Sequence, residues 1–338
     1  MILNEEEFVR AFHGGDGVAA TQIAAHEIRV ERVTRRNGGS ANDDDDRASF
    51  VVDTGAHRAK GVTVNARRLV IWTGKDVCVY ELPSRDNGER VGRSSFPSRA
   101  RSVAAFRDSL FLAQDDLLLV TDLRGVRRLS VPFSPDREGR PVALGASASD
   151  RFLAVATDLG VVRLYDVARR DPRPVAADAR LDDDDDDDGA TTVVVRSIAC
   201  AADGARASIL VDRRTVGGPS DARLYAHDAV RGDARLVDLG NRIPVSHAWD
   251  ATEPRLLSCE TRRRADATSD ADAHMREVTT MFVTADGVFV QDATEIRAPV
   301  SAYLVSRAPK LFFAVRDEDD DDGADVGTTH ALLRHFDE

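Results

Sequence analysis

Residues 142–166 read VALGASASDRFLAVATDLGVVRLYD, and this stretch decides the fold. Three short apolar runs, 142–144, 152–157 and 161–165, are separated by turn chemistry. Ser147, Ser149 and Asp150 make a polar turn after the first run, and Asp158-Leu159-Gly160 a tight hairpin turn after the second. The third run closes on the aromatic–acid pair Tyr165-Asp166. A polar turn, a strand, an Asp/Gly hairpin and a strand ending in an aromatic-Asp pair is the pattern of one blade of a WD-type β-propeller. Asp158, Gly160, Tyr165 and Asp166 are read as the structural signature of that blade. The ring is expected to pack between blades and the carboxylate to sit at the turn.

The same pattern recurs on both sides. Upstream, residues 27–33 and 48–53 read as strands, followed by 61–64, 68–73 and 76–82 with Gly74-Lys75 as a hairpin, then 101–107, 109–114, 117–122 and 126–133. Downstream, 193–200, 207–212, 222–227 and 235–238 form one group, and 245–249, 255–259, 278–284 and 287–291 another. Residues 299–305 and 310–315 begin a final unit. Helical periodicity is confined to short turns expected at 5–12 and 331–336. About six groups of strands at near-regular spacing predict an all-β, WD-type propeller, incomplete as a ring. A doubly wound α/β fold would need helices of roughly 10–15 residues between strands.

Composition narrows the function. The net charge of −12 argues against nucleic acid as the main partner. Much of it lies in acidic runs at 43–46, 182–188 and 317–322, and blocks of like charge stay solvated. The loops near 37–47 and 172–192 are therefore expected to be disordered. A calcium loop would need spaced ligands and glycine turns that the aspartate runs lack. No apolar run approaches the roughly 20 residues of a membrane span, so direct membrane insertion is not expected. The N-terminal MILNEEEFVR is acidic and unlike a secretory signal.

Catalytic chemistry finds no motif. The eight histidines show neither HxH nor HExxH spacing, and there is no GxSxG elbow, P-loop or GxGxxG. A Ser/His/Asp arrangement assembled from distant residues stays open at this stage. Cys78, Cys200 and Cys259 are widely spaced and read as small core residues. No cofactor, metal or catalytic residue is expected. Trp249-Asp250 has the WD letters but falls at the end of an early strand of its group. Arginine pairs at 35–36, 67–68, 127–128 and 169–170, with the triplet 262–264, read as a solvated rim able to meet partners.

Order and detail extend the reading to a family. The segments HGGDGVAATQIAAHEIRVE (13–31), RLVIWTGKDVCVYEL (68–82), RLSVPFSPDREGRPVALGASASDRFLAVATDLGVVRLYDVARRDPRPV (128–175), ASILVDRR (207–214), ARLYAHD (222–228), EPRLLSCETRR (253–263) and VFVQDA (288–293) follow one another in a telling order. They resemble the second WD-type propeller of the intraflagellar transport protein 140 family. The resemblance implies a non-catalytic scaffold of intraflagellar transport complex A, serving retrograde ciliary transport and cilium assembly. It implies other complex A subunits and ciliary membrane-protein cargo adaptors as partners. It also implies residence at the ciliary base and axoneme, with cytoplasm and cytoskeleton. Family members carry two propellers and then a helical repeat array. Residues 1–316 are accordingly assigned to a second-propeller-like domain, and 317–338 to an acidic loop and the start of a junction to that array. One or two blades are expected to be missing, leaving the ring open at one side. A coat-like vesicle-trafficking propeller without a ciliary role is the alternative, since the fold plan is shared.

Overall fold

A computed structural model describes residues 9–13, 17–32, 49–55, 58–83, 92–169, 171–181, 191–215, 220–263, 275–296, 300–304, 310–316 and 329–335. Among these there is no helix; every regular element is a strand. Sheet 1 holds β1 (Arg10–His13), β2 (Val18–Ala24), β3 (Glu27–Arg32) and β4 (Ser49–Asp53). Sheet 2 holds β5 (Gly61–Val64), β6 (Arg68–Trp72), β7 (Asp76–Glu81) and β8 (Gly92–Pro97). Sheet 3 holds β9 (Ser102–Phe106), β10 (Ser109–Gln114), β11 (Leu117–Asp122) and β12 (Arg127–Pro132). Sheet 4 holds β13 (Pro141–Ala146), β14 (Phe152–Thr157), β15 (Val161–Asp166) and two short outer pieces, β16 (Arg173–Pro174) and β17 (Ala179–Arg180). Sheet 5 holds β18 (Thr191–Cys200), β19 (Arg206–Thr215), β20 (Ser220–Asp228) and β21 (Asp233–Leu236). Sheet 6 holds β22 (Arg242–Trp249), β23 (Leu256–Arg263), β24 (Arg276–Val283) and β25 (Val288–Ile296). A three-stranded sheet 7 follows, with β26 (Val300–Leu304), β27 (Lys310–Arg316) and β28 (Thr329–His335).

Each sheet is an antiparallel meander of consecutive strands; from sheet 1 to sheet 6, and again from sheet 7 to sheet 1, the first strands of neighbours lie against each other, while Val300 of sheet 7 packs with Ala248 and Val278 of sheet 6. That succession is a β-propeller, with six full blades and a seventh sheet of three strands. The ring closes, because β26 lies against β1 and β2, and Arg10 Nη1 donates to the Val300 carbonyl at 3.0 Å. The expected open side is corrected by this contact. The final unit beginning near residue 299 supplies enough sheet to meet the first.

Strand periodicity explains how the sheets stack. In β14 all six residues are buried, because both faces of this strand are covered. Leu153 and Val155 join Phe106, Phe111, Leu118 and Tyr165 between sheets 3 and 4. Phe152, Ala154 and Ala156 turn the other way, joining Ile198, Ile209 and Val211 between sheets 4 and 5. The period of two thus assigns alternate residues of one strand to different inter-blade cores.

Three expectations need correction. Residues 10–12 lie in β1, and 331–335 lie in β28, rather than in helical turns. Backbone pairing of Ala331, Leu332 and Leu333 with β27 overrides their helical propensity. Residues 173–174 and 179–180, expected within a disordered loop, pair with β15 and complete sheet 4. The aspartate runs at 43–46, 182–188 and 317–322 lie outside the described residues.

Candidate functional site

The predicted blade signature sits where sheets 3 and 4 meet. Asp158 Oδ1 accepts the Arg140 amide at 2.6 Å, while the Asp158 amide donates to the Arg140 carbonyl. The carboxylate therefore fastens the hairpin tip to the chain entering β13. Gly160 has φ +71°, which the turn requires, and its amide bonds to the Thr157 carbonyl. Tyr165 is 1% exposed and packs among the aromatic side chains of sheet 3, where Phe106 and Phe111 meet edge to face at 5.2 Å. Asp166 takes two bonds from Arg151, at 3.1 and 2.8 Å, and caps the Ala168 amide.

Arg163, one turn of the pleat before Tyr165, was not singled out by sequence. Its Nε donates to Asp178 Oδ1 at 2.6 Å, its Nη2 to Glu138 Oε1 at 2.6 Å, and its Nη1 to the Tyr165 hydroxyl at 3.2 Å. It also stacks over the Phe133 ring at 4.9 Å. The bond to Asp178 first, then those to Tyr165 and Glu138, hold the guanidinium firmly protonated against the cost of burial. One side chain thereby ties β15 to the segment entering the blade and to the outer segment at 178. Arg163→Met should lower the unfolding free energy by about 2 kcal/mol, since the two carboxylates left behind are partly solvated. Arg163→Lys should recover less than half of this, because an ammonium cannot serve three partners in a fork. Urea unfolding of both variants checks the pair, and a fully stable lysine variant would contradict it.

Residues far apart in sequence meet between sheets 5 and 6. His247 Nε2 lies 2.8 Å from Ser197 Oγ, and His247 Nδ1 lies 2.7 Å from Ser208 Oγ. Distances of this kind join a nucleophile to its base in hydrolases. Burial, however, pushes His247 down to about 4, so it stays neutral and a poor proton acceptor near pH 7. Both ring nitrogens are already engaged, and Ser208 is fully buried. The trio fits a satisfied polar seam better than a catalytic centre. A histidine inside the apolar strand VSHAW was its only signal in the sequence.

Further polar seams follow the same logic. Trp249 Nε1 donates to the Ala199 carbonyl at 3.2 Å, and Trp72 Nε1 to the Arg101 carbonyl at 3.1 Å, each crossing to a neighbouring sheet. Trp249-Asp250 thus ends the first strand of sheet 6, as its position in the sequence implied. The fully buried Glu260 accepts from Arg276 Nη1 and from Ser246 Oγ, both at 2.8 Å. Its cross-strand partner Val278 packs with Val300, so this pair faces sheet 7. At one mouth of the ring, His13 Nε2 at the end of β1 approaches Asp150 Oδ1 at 3.3 Å. Asp150 belongs to the turn between β13 and β14, so sheets 1 and 4 touch across the ring. Ser149 Oγ binds the same turn to sheet 5 through the Ala202 carbonyl at 2.7 Å.

Of the arginine groups, Arg68 crosses from sheet 2 to the Arg107 carbonyl and to Asp108 at 3.2 Å. Arg35, Arg36, Arg170 and Arg264 lie outside the described residues. Among the described residues, no three His, Cys, Asp or Glu side chains are grouped to hold a metal ion. Among the described residues, no helix is long and apolar enough to cross a membrane. The three cysteines are free and buried, and burial pushes the Cys200 and Cys259 thiols far above their ordinary range.

Fold and seams together define a β-propeller. Two solved structures share that fold. The β-propeller domain of Cps50 (Swd1) from Myceliophteria thermophila aligns with a TM-score of 0.53 and 13% identity, covering 82% of this chain and 83% of that one. A chain of the Mitotic Checkpoint Complex aligns with a TM-score of 0.50 and 14% identity, covering 93% and 88%. Identities so low speak for the fold alone. The family is set by sequence: the IFT140 second beta-propeller matches residues 16–236 and 226–316. The chain belongs to that family, and it is a propeller scaffold module.

Proposed function

We propose that this chain is a non-catalytic scaffold module of intraflagellar transport complex A, supporting retrograde ciliary transport and cilium assembly. The family match over residues 16–316 carries this reading. In it, rigid blades present loops and rims to other complex A subunits and to adaptors for ciliary membrane-protein cargo. The place of action is the ciliary base and axoneme, with cytoplasmic and cytoskeletal pools. Asp158, Gly160, Tyr165 and Asp166 hold a blade in shape and take no part in ligand chemistry. We take the propeller unit to run from β1 through β28, so that the strand at 329–335 belongs to it. Immunoprecipitation of the endogenous protein from ciliated cells should recover complex A subunits, and its depletion should strand returning cargo at ciliary tips. Recovery of vesicle-coat subunits with normal cilia would favour the coat-like alternative.

A further inference from the structure

The outer edges of the blades are not alike. β8 and β12 end in proline, and β12 begins with two arginines. β16 and β17 have two residues each, β21 has four, and β4 has five. Short edges, prolines and cations are the devices by which natural sheets refuse further strands. β25 is different. It is nine residues long, VFVQDATEI, with no proline, lysine or arginine. Phe289 and Val290 are 50% and 56% exposed there. It pairs only with β24 among the described strands, and a bulge at Gln291 is its one interruption.

We propose that β25 is a strand-addition site that takes an extended, basic peptide segment from a partner, alternating apolar and cationic residues. The edge groups of Val288–Ile296 would supply backbone hydrogen bonds, and side-chain pairs across the new ladder would give selectivity. Charge decides the occupant. Asp292 and Glu295 are the only charged residues of the strand, and both are acidic. Glu295 lies opposite Glu277, itself paired to Arg242 at 3.5 Å, and no described cation is paired with Glu295. A cationic side chain on an added strand would offset that like-charge pair. A second copy is the poorer occupant, because antiparallel self-pairing centred on the strand sets Asp292 against Asp292. Phe289 and Val290 favour apolar residues at the other positions.

The inference deepens the scaffold reading but stands on the edge alone. A fluorescein-labelled peptide TVKVTVKVT, titrated with the intact chain, should show saturable anisotropy. Val290→Lys and Glu295→Lys should each weaken it at least about tenfold, with unchanged thermal unfolding. Val51→Lys on β4 should leave it unchanged. The peptide with glutamate for lysine, or with alternate N-methylated amides, should not bind. No saturation by millimolar protein, or binding that survives both β25 variants or N-methylation, overturns the proposal. A dimer in sedimentation that Val290→Lys dissolves would also overturn it, naming the second copy as occupant. Either failure leaves the complex A assignment untouched, since co-precipitation tests that separately.

Discussion

Gly145→Ala is expected to destabilise the protein by about 3 kcal/mol or more, or to prevent folding. A Cβ built at Gly145 would lie 2.2 Å from the Ile198 carbonyl oxygen and 2.8 Å from its carbon. Both atoms belong to the backbone of β18, so no rotamer change relieves the overlap. β13 and β18 run so close here that Ser147 and Cys200 form a parallel bridge just beyond. Making room means parting sheets 4 and 5, which opens the apolar core holding Ile198, Ile209 and Ala154. Gly240→Ala gives the contrast. Gly240 has φ +60° and nothing within 4 Å of the added carbon, so only the left-handed backbone is penalised, by about 1 kcal/mol. Urea unfolding of the two variants separates crowding from conformation. Equal losses would show that the seam at Gly145 yields freely.

Acid should weaken the fold well before its carboxylates titrate. His247 is pushed down to about 4 by burial, against about 6.5 in an unfolded chain. Its folded pKa is depressed, so below pH 6.5 the unfolded state takes up the proton first. Stability is therefore fully present above about pH 6.5 and is lost as pH falls toward 4. From His247 alone the loss reaches about 2.5 kcal/mol by pH 4.5. His227 is lowered too, by desolvation against the opposing pull of the Asp233 carbonyl, and acts in the same direction. Glu138, Asp166 and Glu253 are also lowered, but as carboxylates they lose their contribution only as pH falls further. Unfolding free energies at pH 7.5 and 4.5 should therefore converge for His247→Gln, which is less stable at pH 7.5 but less acid-sensitive. An unchanged pH dependence in the variant would remove His247 as the cause.

The sequence displayed the propeller through its covered strands and tight turns. FLAVAT, RLVIW and SLFLAQ are apolar runs because blades cover both of their faces. The outer strands were harder to see. In β8, five of six residues are exposed, so GRSSFP carries no periodic apolar signal and is held by pairing to β7. The proline-bearing segment at 173–180 looked like a loop because its two short pieces bury little beyond Ala179. The polar seams were invisible for another reason. Ser197, Ser208 and His247 are separated by up to 50 positions and meet only when sheets 5 and 6 stack. Arg163 shows the opposite case. Its neighbours Val162 and Leu164 announced a strand, but nothing nearby announced partners at 138 and 178.

The contact that closes the ring also sets a clock. Almost every strand pairs with the one just made, so each sheet can zip up soon after it is synthesised. Arg10 and Val300 are instead 290 positions apart. At roughly 5–20 residues per second, the first sheet waits about 15–60 seconds for its last neighbour to emerge. For that interval the flank of β1 destined for Val300, with Phe12 beside it, has no protein cover. A released chain ending before residue 300 would hold six zipped sheets, with the flanks of sheets 1 and 6 that meet Val300 left without that cover.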